Sequence, residues 1–468
     1  MSPQAPAPVP DISQVFCIFF ILIVPLALAG LALINTGLSR LRSAAHSMMS
    51  TLCVVGVAAT VCFVAGFAFQ GYPGLPSHTL SIFGKEWSWL GAGRFFLRGV
   101  PLDGSWVSLA ALAQMLSVGL AALIPLGAAA ERWRLRACCL STALLAGITY
   151  PLFAHWVWGG GWLARLGTNY GIGVGFLDAG GSSTIQVVGG LTALSLVWLL
   201  GPRRGKYNLE GMPAALPGHN TVYVLFGCLL ALVGWMGLNS AGALLFARVP
   251  LGRTVLVAVN TLLSAGGALL AAAVITRYRF GKPDASLSAN GWVSGLVASG
   301  AGCAYVPPAA ALMIGLVAGA LVTYSVAWME VHLGLDDPAG AVAVHAMGGI
   351  WGILAVGIFP HTVRSAYLVA VSGAAAGALP SREMLAQAIA SAGNPAPMPG
   401  GQLLAQIVGV ATLVGFVLPF TYSLNWLLDR FFPQRIPPEE ERHGADLYEL
   451  GAGAYPEFMT HTDEFSQW

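Results

Sequence analysis

Two stretches of this chain repeat one arrangement of polar residues and glycines within apolar sequence. In each, an aspartate is followed eight positions later by a polar side chain and then by a Gly-Gly pair. The copies read DAGGSSTIQVVGG at 178–190 and DPAGAVAVHAMGG at 337–349. Eight residues slightly exceed two helical turns. We therefore expect the aspartate to cap a helix that carries the polar side chain, Gln186 or His345, near its middle.

The chemistry of the two central side chains differs. An imidazole such as that of His345 takes up and releases a proton near neutral pH, whereas the amide of Gln186 can only donate and accept hydrogen bonds. Polar groups at membrane depth are costly and usually face a cavity or a partner. A duplicated helix of this kind is typical of a transporter built from two related halves.

The composition assigns the chain to the membrane proteins. Of its 468 residues, 56% are hydrophobic and only 9% are charged, whereas soluble domains carry about a quarter charged residues. The net charge of +2 gives no reason to expect a nucleic-acid partner. Such a chain could not cover its surface in water, so the composition predicts a polytopic membrane protein.

The cysteines and the catalytic motifs argue against a metal centre and an enzyme. Seven cysteines lie in or beside apolar runs without the spacing of a metal site, and we interpret them as small buried residues. We find no P-loop and no nucleophile elbow. The sequence thus predicts no cofactor, no metal and no enzymatic activity.

Apolar stretches long enough to span a bilayer predict an all-α fold of eleven transmembrane helices. We place them at 12–38, 48–70, 106–130, 138–157, 183–201, 219–247, 253–276, 287–304, 307–331, 338–359 and 402–429. Several are rich in glycine and alanine, which permit close helix–helix approach in lipid. The predicted domains are an N-terminal tail at 1–11, a transmembrane domain at 12–429 and a polar C-terminal tail at 430–468.

Basic residues cluster in alternate loops between these stretches. The clusters are Arg40 and Arg42; Arg132, Arg134 and Arg136; Arg203, Arg204 and Lys206; and Arg277, Arg279 and Lys282. Positive-inside bias places them in the cytoplasm, which predicts a cell (inner) membrane protein with its N-terminus outside and its C-terminus inside. The two motif helices then run in opposite directions, so helices 1–5 and 6–10 form an inverted repeat and helix 11 is appended.

A series of motifs, in order along nearly the whole chain, resembles the ammonium transporter/Rhesus (Amt/Rh) family. They are GLALINTGL (30–38), AAAERWRLR (128–136), AHWVWGGGWL (154–163), LDAGGSSTIQVVGG (177–190), LGPRRGKYN (200–208), PGHN (217–220), GWMGLNS (234–240), LDDPAGAVAVHAMGGIWGILAVGIF (335–359) and PPEEERHGADLYELGAGAYPEF (437–458). The resemblance implies a homotrimer of eleven-helix protomers, each with its own narrow pore. It also implies a cytoplasmic tail that takes part in gating and in contact with P-II regulatory proteins.

The resemblance implies roles for three residues. Trp158 matches the family's outer recruitment tryptophan, whose ring can attract a cation. Asp178 matches the family's aspartate near the same outer entrance, and its expected roles are to cap the helix and to shape the local electric field. His345 matches one of two pore histidines. Because dehydrating ammonium in an apolar pore costs many kcal/mol, removing its proton and passing neutral ammonia is one solution.

The chain departs from the family pattern at the positions that line the pore. Gln186 stands where the other pore histidine is expected. Ser117 and Leu238 occupy the positions of the stacked phenylalanine gate, and Asn35 lies in INTG where the family has Phe-Tyr-Gly-Gly. Scaffold motifs are retained while the pore changes, which argues against an ordinary high-throughput ammonium transporter.

Three functional hypotheses follow. The main one is an Amt-type channel that conducts ammonium or ammonia past Trp158, Ser117, Leu238, Gln186 and His345. The first alternative is a non-conducting ammonium sensor or an accessory subunit of a larger membrane complex that keeps the scaffold. The second is a switch to a neutral gas or another small solute through a widened gate.

The same residues also have simpler interpretations. His345 could be a satisfied buried histidine, and Gln186 a polar residue that holds two helices together. Trp158 could be an anchor at the membrane boundary. Asp178 and Asp337 are best interpreted as helix caps. Their positions in the repeat favour pore roles for Gln186 and His345.

Overall fold

The computed structural model describes residues 11–359 and 400–455 and is mostly helical. Its long helices are α1 Ile12–Leu38, α2 Leu41–Gln70, α3 Trp106–Ala128, α4 Leu135–Val157, α5 Ser182–Leu200, α6 Thr221–Leu245, α7 Leu251–Phe280, α8 Ala285–Gly302, α9 Pro308–His332, α10 Val342–Ile358 and α11 Gly401–Phe431. Within the described residues, nine of them are long and apolar enough to cross a membrane. The exceptions are α10, which is shorter, and α8. Helices thus stand at all eleven predicted positions, and the all-α membrane fold is confirmed. That α8 and α10 also cross remains a prediction.

Shorter elements lie at the two ends of the bundle. Strands β1 (Ser77–Ile82) and β2 (Lys85–Gly91) form an antiparallel hairpin between α2 and α3. The hairpin is attached to α4, because the Trp156 indole donates to the carbonyl oxygen of Trp89 at 2.9 Å. Two short tail helices, α12 (Pro438–His443) and α13 (Ala445–Leu450), follow α11 at the other end of the bundle.

Helices α5 and α10 cross at glycines that occupy equivalent positions in the two motif copies. Gly190 of α5 lies against the backbone of Ala346, so that a Cβ atom there would overlap α10. In the same way, Gly349 of α10 lies against Val187 of α5. Lipid supplies no hydrophobic force between helices, so such close packing of small residues is what holds them together.

Helices α1 and α6, the first of each predicted half, make a second close crossing. Gly30 lies against Gly227 and Ala231, and Gly234 lies against Ala27. Both crossings join corresponding helices of the two halves, as a two-fold relation between inverted repeats requires.

Charged residues from four loops form a largely buried network at the end of the bundle opposite the hairpin. Arg203 donates to Glu131 at 2.6 Å and to both oxygens of Asp336 at 2.9 Å. Arg40 also pairs with Glu131, and Arg132 donates to the carbonyl oxygen of Asp336 at 2.6 Å. Burial by itself raises the pKa of Asp336, but hydrogen bonds and charge from Arg203 hold it below its usual value. The network therefore ties together loops from both halves in charged form.

The C-terminal tail is docked beside this network. Glu441 of α12 accepts from the backbone nitrogen of Arg204 at 2.7 Å and from the Arg435 guanidinium at 2.8 Å. Asp446 of α13 accepts from the backbone nitrogen of His46 at 2.7 Å and so caps the first turn of α2. The tail thus contacts loops that follow helices of the first half. Residues 456–468 of the predicted C-terminal tail and residues 1–10 of the predicted N-terminal tail lie outside the described residues.

A valine at Gly190 tests the α5–α10 crossing. Its side chain would meet the backbone of Ala346, and we expect a loss of roughly 1–3 kcal/mol in the free energy of unfolding because overpacking forces the helices apart. Thermal unfolding of the detergent-purified protein measures the loss. Gly266→Val is the matched control, since a Cβ at Gly266 in α7 meets nothing within 4 Å. Equal losses in both variants would contradict the assignment.

Candidate functional site

The Asp178 carboxylate caps the first turn of α5 and is fully engaged there. One oxygen accepts from the backbone nitrogens of Gly181 at 2.9 Å and Ser182 at 2.8 Å. The other accepts from Ser183, through its nitrogen at 2.8 Å and its hydroxyl at 2.5 Å, and from the nitrogen of Thr184 at 3.1 Å. A carboxylate with so many donors shapes the field at the helix start and is poorly placed to bind an ion directly.

The equivalent aspartate of the second copy is held more loosely. Asp337 accepts from the backbone nitrogen of Val342 at 2.7 Å through one oxygen. Its other oxygen is buried and has no hydrogen-bond partner among the described residues. The two halves therefore keep the capping geometry but differ in how completely the carboxylate is satisfied.

Both motif helices contain a π-helical turn at the polar position. It spans Ser182–Val187 in α5 and Val342–Met347 in α10. In the first, the nitrogen of Gln186 reaches back five residues to the carbonyl oxygen of Gly181 at 3.1 Å. Such turns occur frequently at functional sites, and the described residues contain three more, in α2, α4 and α11. Here each turn carries one of the two polar side chains whose roles the sequence leaves open.

The α5–α10 crossing brings Gln186 and His345 into direct contact. The side-chain oxygen of Gln186 lies 2.8 Å from Nδ1 of His345, and both side chains are buried. Because an amide oxygen can only accept, Nδ1 carries the proton and Nε2 of the imidazole carries a lone pair. The Gln186 amide nitrogen is buried and has no partner within the described part of the chain. The pair thus presents an unused donor and an unused acceptor.

Trp158 lies at the hairpin end of the bundle, and one face of its ring is covered. Its indole nitrogen donates to the carbonyl oxygen of Asp178 at 2.7 Å. The ring stacks on Phe246, with centroids 4.2 Å apart and planes inclined by 3°. Only 4% of Trp158 is exposed. The open recruitment face that the resemblance implies is therefore occupied by Phe246 in this structure.

Ser117 and Leu238 lie directly beneath this stack. Together with Trp158 and Phe246 they line a cavity of about 10 Å³. One water molecule needs about 10–15 Å³ by this measure, so the cavity is at the lower limit for a single small molecule. The structure thus places the two predicted gate positions beside Trp158. The aromatic ring that stacks on Trp158 belongs to Phe246, which is at neither of those positions.

Phe246 is the residue that sequence reasoning missed. It caps the C-terminal end of α6, eight residues beyond Leu238. That spacing places the two side chains near the same face of a helix. The spacing from Leu238 is the signal that the sequence contains, but Phe246 lies beyond the GWMGLNS motif, which ends at Ser240.

Asn35 lies away from the Trp158 group. Its amide donates to the carbonyl oxygen of Leu123 in α3 at 3.2 Å, and its oxygen lies close to Gly127. Gly127 also faces Ala339, next to the Asp337 cap. The structure therefore places Asn35 toward the charged-network end, where its predicted pore role has no further support.

The described residues contain no group of three or more His, Cys, Asp or Glu side chains that could hold a metal ion. The seven cysteines are free. Between Trp158 and His345, the described side chains offer hydrogen bonding, aromatic stacking and an imidazole for proton exchange.

Comparison with known sequences gives matches over nearly the whole chain. The sequence model of the Ammonium Transporter Family matches residues 15–455. The chain is 34% identical to ammonium transporter Amt2 of Archaeoglobus fulgidus over 455 residues, covering 97% of this chain and 89% of that protein. It is 30% identical to the ammonium transporter of Bacillus subtilis over 448 residues, covering 95% and 98%.

Comparison with solved structures gives the same architecture. A structure described as a sensor Amt protein superposes with a TM-score of 0.78 at 27% identity, covering 94% of this chain and 98% of that one. Mep2 of Candida albicans superposes with a TM-score of 0.74 at 23% identity, covering 97% and 92%. The second similarity shows the fold alone.

Proposed function

The chain belongs to the ammonium transporter family, and from that premise we propose that it conducts ammonium or ammonia along the axis from Trp158 to His345. The observation that carries the proposal is the contact between Gln186 and His345, buried at the crossing of the two halves. Relatives similar over nearly their full length are named ammonium transporters.

The unused hydrogen-bonding groups of this pair suit an ammonia molecule. The Gln186 amide nitrogen offers a donor, and Nε2 of His345, in the tautomer set by the 2.8 Å bond, offers a lone pair. Ammonia accepts one hydrogen bond and donates several, so it can satisfy both groups at once. A buried group left without a partner costs about 1–3 kcal/mol, which favours a small polar occupant here.

A single imidazole restricts the proton chemistry. His345 can accept a proton from a neighbouring ammonium ion, but Gln186 cannot pass that proton on. The proton must therefore leave His345 by another route or return to the same substrate. This limit supports a slower path than one lined by two imidazoles.

The proposed setting is a cell membrane with the charged network and tail on the cytoplasmic side. Three of the four clusters of basic residues supply members of that network or its surroundings, and the tail docks at the same end, as positive-inside bias requires. We further infer a homotrimer, and a P-II protein as a partner for the docked tail, from the family to which the chain belongs.

Uptake of methylammonium into proteoliposomes tests the proposal. We expect the purified wild-type protein to exceed protein-free vesicles. His345→Ala should lower that uptake roughly tenfold, because the pair loses its hydrogen bond and its acceptor. His332→Ala is the matched control, since that ring lies on the outside of α9 against Trp328. Wild-type uptake equal to that of empty vesicles would overturn conduction.

A second candidate function is an ammonium sensor that binds without conducting. It is favoured by the closed Trp158–Phe246 stack and by the similarity to a sensor Amt protein. In that case, ammonium would alter the Gln186–His345 contact, and the scaffold would pass the change to the tail or to a partner protein. Copurification of a stable partner together with absent uptake would support this function.

Removing the Phe246 ring separates the two candidates. The stack contributes about 0.5–1.5 kcal/mol beyond the buried area, so Phe246→Ala should raise uptake roughly two- to tenfold if the stack is a lid on a conducting path. Phe416→Ala is the control, because the Phe416 ring packs on Phe420 and Trp156, at centroid distances of 5.3 and 5.2 Å, and is no member of the Trp158–Phe246 stack. Uptake that stays at background in Phe246→Ala would favour the sensor.

A further inference from the structure

A second cavity lies beside the ring stack at the hairpin end of the bundle. Its volume is about 320 Å³, and it is lined by Ser13, Tyr72, Trp106, Leu244, Arg248 and Val249. This volume lies at the lower end of the range for small-molecule sites. The cavity is adjacent to the stack, since the Tyr72 and Phe246 rings are 6.4 Å apart.

Three hydrogen-bond donors of this lining have no partner in the described part of the chain. They are the hydroxyl of Ser13, the indole nitrogen of Trp106 and the guanidinium of Arg248, none of which makes a side-chain bond or an ion pair to a described residue. The Tyr72 hydroxyl, by contrast, is committed to the carbonyl oxygen of Leu245 at 3.0 Å. The cavity therefore combines a positive charge and free donors with apolar walls.

The backbone conformation of Arg248 is also unusual. Its φ of 50° lies in the left-handed region, which few residues other than glycine adopt and which concentrates at ligand sites. The residue lies three positions after the last residue of α6, so this conformation determines the direction in which its side chain leaves the backbone.

Carboxylates near the cavity are already engaged. Asp11 accepts from the backbone nitrogen of Ser13 and caps α1. Asp103 accepts from the backbone nitrogen of Ser105 at 3.0 Å. Another cation, Arg253, lies five residues further along the chain in the turn that opens α7. The charge of Arg248 is thus unmatched by any described side chain.

We propose that this cavity binds a small monocarboxylate, with its carboxylate on the guanidinium of Arg248 and its apolar body against Trp106, Leu244 and Val249. A guanidinium presents paired N–H donors that match the two oxygens of a carboxylate. The apolar walls select against strongly hydrated inorganic anions, because these would lose water without compensation.

The site places a negative charge beside the mouth of the axis. Arg248 lies two residues after Phe246, so a carboxylate bound to it would lie close to the Trp158–Phe246 stack. This carboxylate would neutralise the guanidinium, the one charged group among the residues that line the cavity. Its effect on ammonium rests on the proposed function, but carboxylate binding itself does not. Binding is therefore the property to measure.

Titration calorimetry of the full chain in phosphatidylcholine nanodiscs tests the site, with benzoate as the probe and benzamide as its neutral isostere. We expect benzoate to bind roughly tenfold or more tightly than benzamide. The reason is that the hydrogen bonds between a carboxylate and a guanidinium are charge-assisted and therefore stronger than those of a neutral amide. Arg248→Gln should abolish this preference.

The matched control is Arg98→Gln, because Arg98 lies at the same end over the Phe96 ring, outside the cavity. Loss of benzoate binding in both variants would mean a general surface effect and overturn the site. Equal affinity for benzoate and benzamide would show that the cavity does not recognise a carboxylate, and it would overturn the proposal. Displacement of benzoate in phosphatidylglycerol nanodiscs would assign the cavity to a lipid headgroup and overturn its assignment to a free carboxylate.

Discussion

The close approach of α5 and α10 at Gly190 and Gly349 is the constraint on which the functional site depends. Both glycines leave no space for a side chain, and each lies against the partner helix at an equivalent point of the repeat. The contact sets the 2.8 Å distance between Gln186 and His345. A wider crossing would separate the pair and leave two buried polar groups unsatisfied, which is costly at membrane depth.

The two halves share this scaffold and differ in its chemistry. Asp178 is saturated with donors, whereas Asp337 retains an unpartnered oxygen, and one imidazole faces an amide. At the hairpin end, small and aliphatic side chains occupy the gate positions, and closure is provided by the Trp158–Phe246 stack. These differences all concern the passage and leave the packing intact. On the proposed function, they account for a slow conductor or a sensor built on the fold of the ammonium transporter family.

Much of the fold was predictable from the sequence because lipid restricts the solutions. Apolar run lengths predicted the helices, and the repeated Asp, Gln/His and Gly-Gly spacing predicted the opposed pair at Gln186 and His345. The stack on Phe246 was not predictable, because it depends on where the end of α6 places a ring. The buried network of Glu131, Arg203 and Asp336 was also missed, since its members come from three loops distant in sequence.

The central claim, common to conduction and sensing, is that ammonium or ammonia reaches the Gln186–His345 pair. The most direct test is ¹⁵N NMR of the histidine rings in the membrane-reconstituted protein during titration with ammonium. We predict a saturable change in the His345 nitrogens that Gln186→Leu weakens, while His155, bonded to Ser88 and Gln70, stays unchanged. A His345 signal that does not respond to ammonium, or that only follows His155, would contradict the account.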